Sequence, residues 1–146
     1  MSLTWTSYRY REDGILPDGG KLPDIPTLNL SFLRRDLKKA LIATAFIDTG
    51  FDGTIYANDD MLEFLEGLKP EMKDSLKGVE KEVECEVYKI EVKLVTEDLK
   101  IIKGLGKIRV YVPIDPKNLA EDIVIGREIL NSLGLKLDGK YVEVKG

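Results

Sequence analysis

The residues with the clearest chemical potential are an aspartate in a tight turn behind an apolar run. Ala40 to Ile47 is almost continuously apolar and stops at Asp48-Thr49-Gly50, with Asp52-Gly53 close behind. Such a run suits a buried strand, and the glycine lets the chain turn sharply after it. The threonine hydroxyl can bond nearby backbone groups and hold the turn. The carboxylate of Asp48 then stands at a strand end beside an apolar floor, where it can act as an acid or a base. Taken alone, the tripeptide is three common turn residues and reads as an ordinary turn. A second segment adds to it. Ile123-Val124-Ile125-Gly126-Arg127-Glu128-Ile129-Leu130 sets apolar residues before a glycine and a short helix that opens with an arginine.

Other chemistries are closed by composition. The 146 residues include no His, which excludes Ser-His-Asp and Cys-His catalysis in their usual forms and any His-based metal site. The single cysteine, Cys85, has no partner for an internal disulfide or a CxxC pair. Its setting, Glu84-Cys85-Glu86, should raise the thiol pKa, and a half-buried strand position is its expected role. No metal or cofactor is expected. The formal charge is −4, with 22 Lys+Arg against 26 Asp+Glu, so there is no basic footprint for duplex nucleic acid. No apolar run approaches the ~20 residues that span a bilayer. Met1 to Gly14 lacks an apolar h-region, so no signal peptide is read, no membrane is expected as a partner, and the expected location is cytoplasmic.

The elements that must position Asp48 are mostly strands. Residues 1–26 are punctuated by Gly14, Pro17, Gly19, Gly20, Pro23 and Pro26, and read as an N-terminal extension of loops with one short strand near Thr4–Tyr10. Residues 27–146 form the main domain, beginning with a strand over Thr27–Leu33. Asn58 or Asp59 can cap a short helix with Met61, Leu62, Leu65 and Leu68 as its apolar residues. Lys69–Lys77 reads as a polar, mobile segment. Val83–Val95 alternates, but the phase slips between Val87 and Tyr88, as a β-bulge or a bend would require. Thr96–Lys100 is a turn, and Ile108–Ile114 alternates again. Ile123–Ile125 is a short buried strand, Arg127–Leu133 a helix ended by Gly134, and Tyr141–Val144 a last strand after the Asp138-Gly139 turn. The sum is a mostly β domain with two short helices.

With these motifs in order, the chain resembles the retropepsin-like aspartic proteases. Their signature is an apolar strand ending in Asp-Thr/Ser-Gly and, later, an apolar pair, Gly-Arg-Asp/Asn/Glu and an apolar-Leu pair at a helix start. Here these stand at Asp48-Thr49-Gly50 and at Ile125-Gly126-Arg127-Glu128-Ile129-Leu130. The resemblance covers about Leu41 to Leu137 and implies a closed, acid-protease β-barrel with one or two short helices. It implies that Ile123–Gly126 passes behind the Asp48 loop in the shape of a ψ, with Gly126 allowing close approach. It also implies that Asp52, four positions after Asp48, pairs with Arg127 and clamps the two motifs; an Arg–carboxylate pair of this kind can be bidentate. Phe51 departs from the family, where a small residue is usual, and would crowd or line the substrate cleft.

The same resemblance implies two chains. Aspartic-protease chemistry uses two carboxylates around one water, and this chain offers one Asp-Thr-Gly. A two-fold dimer would set Asp48 opposite its copy, with Thr49 and Gly50 completing each half. A flap hairpin would cover the cleft. Its tip is placed at Gly78, flanked by Ser75 and Glu80, in preference to Gly104-Leu105-Gly106, after which too few strands remain. The function implied is a homodimeric aspartic endopeptidase acting on extended peptides or unfolded protein. The alternative is a non-catalytic or latent dimeric peptide-binding module of the same fold.

Overall fold

The computed structural model of the chain describes residues 5–12, 14–77 and 81–145. Strand β1 (Trp5–Arg9) leads into an irregular excursion and then the hairpin β2 (Thr27–Arg34) and β3 (Lys39–Ile47). After β4 (Ile55–Tyr56) and helix α1 (Asp59–Phe64) come β5 (Met72–Lys77), β6 (Glu82–Val95) and β7 (Ile101–Pro113). A 3-10 turn at Pro116–Asn118 precedes β8 (Ile123–Ile125), helix α2 (Arg127–Leu130), β9 (Gly134–Leu137) and β10 (Tyr141–Lys145).

Period-two patterning builds the barrel. Leu28, Leu30 and Phe32 of β2 alternate inward and meet Ile90, Val92 and Leu94 of β6 and Val110 and Val112 of β7 in one core. Burying each such side chain contributes about 1.5–3 kcal/mol. The ring runs β2-β3-β8-β4-β7-β6 and closes when Asn29–Leu33 pairs antiparallel with Glu91–Val95. Closure removes the open edges that a flat sheet of these strands would expose.

The phase slip in β6 has a different origin from a bulge. The ladder with β7 runs unbroken from Cys85↔Pro113 to Val92↔Gly106. Apolar residues fall in both phases because the strand serves two cores. Tyr88, Ile90 and Val92 face the barrel, while Cys85 and Val87 join Tyr111 in a smaller cluster on the opposite face. Register shifts occur later, at Val92/Lys93 and Leu94/Val95, opposite the stretch that holds Gly104 and Gly106. Those glycines therefore lie within β7 and form no hairpin tip; Gly106 takes φ +77, open to glycine without strain. The segment expected to be polar and mobile is in part strand β5, paired with β6 from Met72↔Val87 to Lys77↔Glu82. Main-chain pairing orders it although its side chains are almost all exposed.

The termini share a second, antiparallel sheet in the order β1-β10-β9. Tyr8 of β1 is fully buried in the main core and donates its hydroxyl to the Val95 carbonyl, and burial pushes its pKa up. Between β1 and β2, paired contacts at Arg11↔Ile25 and Ile15↔Lys21 fold the excursion back on itself.

Both helices are shorter than their apolar patterns suggest. In α1 the Asn58 side chain accepts from the Met61 N–H at 3.0 Å, Met61 and Leu65 are buried, and Leu62 is exposed. Helix α2 ends at Leu130 with Asn131 as its cap, and Gly134 opens β9 instead of ending the helix. Among the described residues no helix is long and apolar enough to cross a membrane.

Candidate active site

Asp48 follows the last residue of β3, where β3 runs parallel to β8 in the register Ala45↔Ile123, Phe46↔Val124 and Ile47↔Ile125. The ladder carries on past the strand: the Asp48 N–H donates to the Ile125 carbonyl at 3.0 Å. The chain then turns. Phe51 N–H donates back to the Asp48 carbonyl at 3.2 Å, and the Asp48 side chain accepts from the Gly50 N–H at 2.9 Å. Asp48, Thr49 and Gly50 are exposed. The turn thus presents its carboxylate to solvent while its backbone is held from behind.

What holds it is the crossing of β8. This strand lies between β3 and β4, parallel to the first and antiparallel to the second through Ile55↔Ile125 and Tyr56↔Val124. Residues 48–54 therefore loop over the end of β8. Three amides from the start of α2 secure the loop. Gly126 N–H donates to the Thr54 carbonyl at 2.8 Å, Arg127 N–H to Phe51 at 2.8 Å and Glu128 N–H to Gly53 at 3.3 Å. A Cβ on Gly126 would sit 2.6 Å from the Phe51 carbonyl oxygen and also collide with the Gly53 carbonyl. Gly126 has an ordinary φ of −104, so space, not conformation, demands glycine here.

The clamp expected between Asp52 and Arg127 is absent. Both side chains are exposed, and no ion pair within 4.0 Å joins them among the described residues. The physical reason is solvation: both groups stand in water, which satisfies each of them separately. An exposed pair would add only about 0–1 kcal/mol against side-chain entropy. Support for the loop is carried by backbone, with Gly126 as its contact point.

Phe51 packs under the loop. Its ring meets Tyr56 and Tyr111 edge-to-face, with centroids 6.0 and 6.4 Å away. Together with Cys85, Val87, Leu76 and Val83 these rings form an apolar floor from the Asp48 loop to the β5–β6 hairpin. Burial, with the charge of Asp74 adding to it, pushes the Cys85 thiol up to about 11, so it stays neutral and inert. Burial likewise pushes Tyr56 up to about 12.

Ser75 lies within β5, exposed, opposite Glu84. Gly78 and Glu80 lie outside the described residues, between the Lys77↔Glu82 pair that closes the described part of the hairpin. Tyr56 and Tyr111 were not singled out from sequence. Tyr111 is legible only once both faces of β6 and β7 are known to be covered. β4 is two residues long and carries no period that could reveal Tyr56. No protein-family model matches this chain, and no curated protein matches it.

Proposed function

We propose that the chain is a retropepsin-like aspartic endopeptidase that works as a homodimer, with Asp48 from each chain forming the dyad. The observation that carries this reading is the crossing of β8 behind the Asp48 loop, with Gly126 seated against the loop carbonyls. An ordinary Asp-Thr-Gly turn needs no such partner. Here two distant motifs meet so that the loop backbone is rigid and the carboxylate side is open, which is what a preorganised catalytic group requires.

One chain supplies one carboxylate. The terminal sheet leaves β1 and β9 each with an unpaired edge and exposes Trp5, Leu137 and Tyr141, which supports assembly there. In the dimer the two Asp48 side chains face one water, one acting as the ionised base and the other as the protonated acid. The ionised group takes a proton from a bound water, which attacks the peptide carbonyl. The protonated group donates to the carbonyl oxygen, giving a gem-diol. This collapses as the C–N bond breaks: the proton taken from water passes to the leaving amine nitrogen, and a diol hydroxyl returns its proton to the other Asp48 as the acid product forms. The peptide lies extended between the β5–β6 hairpin and the floor of Phe51, Tyr56 and Tyr111.

The test is cleavage of an unfolded protein from about pH 3 to 8, with sedimentation to establish the dimer. A bell-shaped rate with its maximum on the acid side, abolished by Asp48→Asn in a folded dimer, is the expected result. Equal cleavage by both proteins would overturn the reading. A second reading, the non-catalytic or latent module, is favoured by the missing Asp52–Arg127 pair; a well-assembled dimer with no cleavage at any pH would select it.

A further inference from the structure

A second site lies at the other end of the β2–β3 hairpin, about 25 Å from Asp48 along β3 at the usual rise per residue. Strand β6 is flanked on one side first by β5, up to Met72↔Val87, and then by β2, from Leu33↔Glu91. Tyr88, Lys89 and Ile90 belong to neither ladder. The Val87 carbonyl points to this side, where it accepts from the Glu71 N–H at 2.7 Å. By the alternation of an antiparallel strand, the backbone N–H and C=O of Lys89 face the gap.

The gap is a notch of about 290 Å³. Leu33, Leu68 and Ile90 line it with apolar surface, and Arg35, Lys89 and Lys107 give it cationic groups. Two carboxylates also line it, but both are engaged, and Lys89 is itself paired with Glu71 at 3.4 Å. Asp36 is held by Arg34, and Glu91 takes two hydrogen bonds from Arg35, each of 3.0 Å. Lys107 has no ion pair among the described residues. Arg35 holds the Glu91 carboxyl below its usual range, with Lys93 and Lys107 adding to it. The lining as a whole carries Arg34, Arg35, Lys89 and Lys107 against Asp36 and Glu91, in a chain of net charge −4.

We propose that this notch binds a short acidic peptide segment in extended form. The gap in the ladder offers the Lys89 backbone for strand pairing. The floor accepts one apolar side chain, and Lys107, the lining cation with no ion pair among the described residues, receives the flanking carboxylate. Nucleic acid fits less well, because no aromatic ring lines the notch for base stacking. A membrane surface fits less well than a peptide because the site is a recess with an apolar bottom. The proposal does not rest on the Asp48 reading.

The test is fluorescence anisotropy with a labelled hexapeptide alternating leucine and glutamate, against the same peptide with glutamine for glutamate. Saturable binding is expected, about tenfold tighter for the glutamate peptide. Lys107→Glu should weaken it about tenfold, whereas Lys140→Glu, which changes net charge equally in the β9–β10 turn, should leave it unchanged. Asp48→Asn should bind like the wild type. Equal weakening by the two lysine variants would reduce the effect to diffuse charge and overturn the site. No saturable binding, equal affinity for both peptides, or displacement of the peptide by a thymidine oligomer or phosphatidylserine vesicles at lower concentration would also overturn it. If Lys107→Glu fails to fold by circular dichroism, the two-peptide comparison on the wild type decides.

Discussion

Arg34 and Arg127 stand in two regions that meet the same problem, holding a chain turn against a helix, in opposite ways. Arg34 is 4% exposed. Its guanidinium donates to the Phe64 and Glu66 carbonyls at 3.1 and 2.6 Å, at and just past the end of α1, and pairs with Asp36 at 2.5 Å. The last carbonyls of a helix lack intrahelical partners, and a cation there is favourable. Arg127 opens α2 and is exposed; its side chain makes no ion pair among the described residues, and its backbone N–H donates to the Phe51 carbonyl. The difference shows when a charge becomes structure. Where a helix leaves carbonyls orphaned, a side chain is consumed to satisfy them. Where main-chain amides already take the carbonyls, the charged side chains stay in solvent, free for a partner or ligand.

The largest expected effect tests the buried side of this contrast. Arg34→Ala should cost about 3 kcal/mol in urea unfolding, because it strands helix carbonyls in a buried site. A loss below about 1 kcal/mol would break the comparison. A pH scan sharpens it. Arg34 holds the Asp36 carboxyl below its usual range. That contribution is present above about pH 4, the unfolded value, and is lost as pH falls through the lowered folded value. In Arg34→Ala the acid loss from Asp36 should disappear from the region below pH 4.

Next in size is the contact point of the open loop. Gly126→Ala should cost about 1–3 kcal/mol, since the added methyl meets two backbone carbonyls that cannot swing aside. Thermal unfolding in parallel with Arg127→Ala separates backbone from side chain. A neutral Gly126→Ala would show that the crossing relaxes and that the loop is not braced from behind.

The smallest effect concerns the charged pair itself. Arg127→Ala and Asp52→Asn should each change stability by less than about 0.5 kcal/mol, as exposed surface changes do. Their coupling in a double-mutant cycle should be near zero in the isolated chain. Coupling above about 1 kcal/mol that appears only at concentrations where the chain dimerises would show that the pair forms on assembly.

Much of this was legible because local chemistry and burial agree. The strand over Thr27–Leu33, a helix cap at Asn58 or Asp59 and the Asp138-Gly139 turn each announce their structure, and the cap falls at Asn58. Gly139 takes φ +92, and the Asp138 side chain accepts from the Lys140 and Tyr141 amides at 2.7 Å. Strand β5 was not legible, because its polar side chains stay in water and only its backbone is recruited. Nor was β4, too short to show a period. At the candidate site Asp48 and Gly126 stood out by motif, whereas Tyr56 and Tyr111 did not, and Asp52 and Arg127 drew attention for a pairing the chain does not make.

Composition and order determined what chemistry this protein could attempt: no histidine, one cysteine, one Asp-Thr-Gly turn and one Gly-Arg helix start. Period-two patterning determined that most of the chain would be strand. Only the tertiary structure decided that β8 threads between β3 and β4, that Arg34 is spent inside and Arg127 left outside, and that β6 faces two cores. The reason is physical. Side-chain chemistry and alternation are properties of neighbouring residues, whereas a hydrogen bond from Arg127 to Phe51, or room for a methyl at Gly126, depends on which distant backbone arrives there.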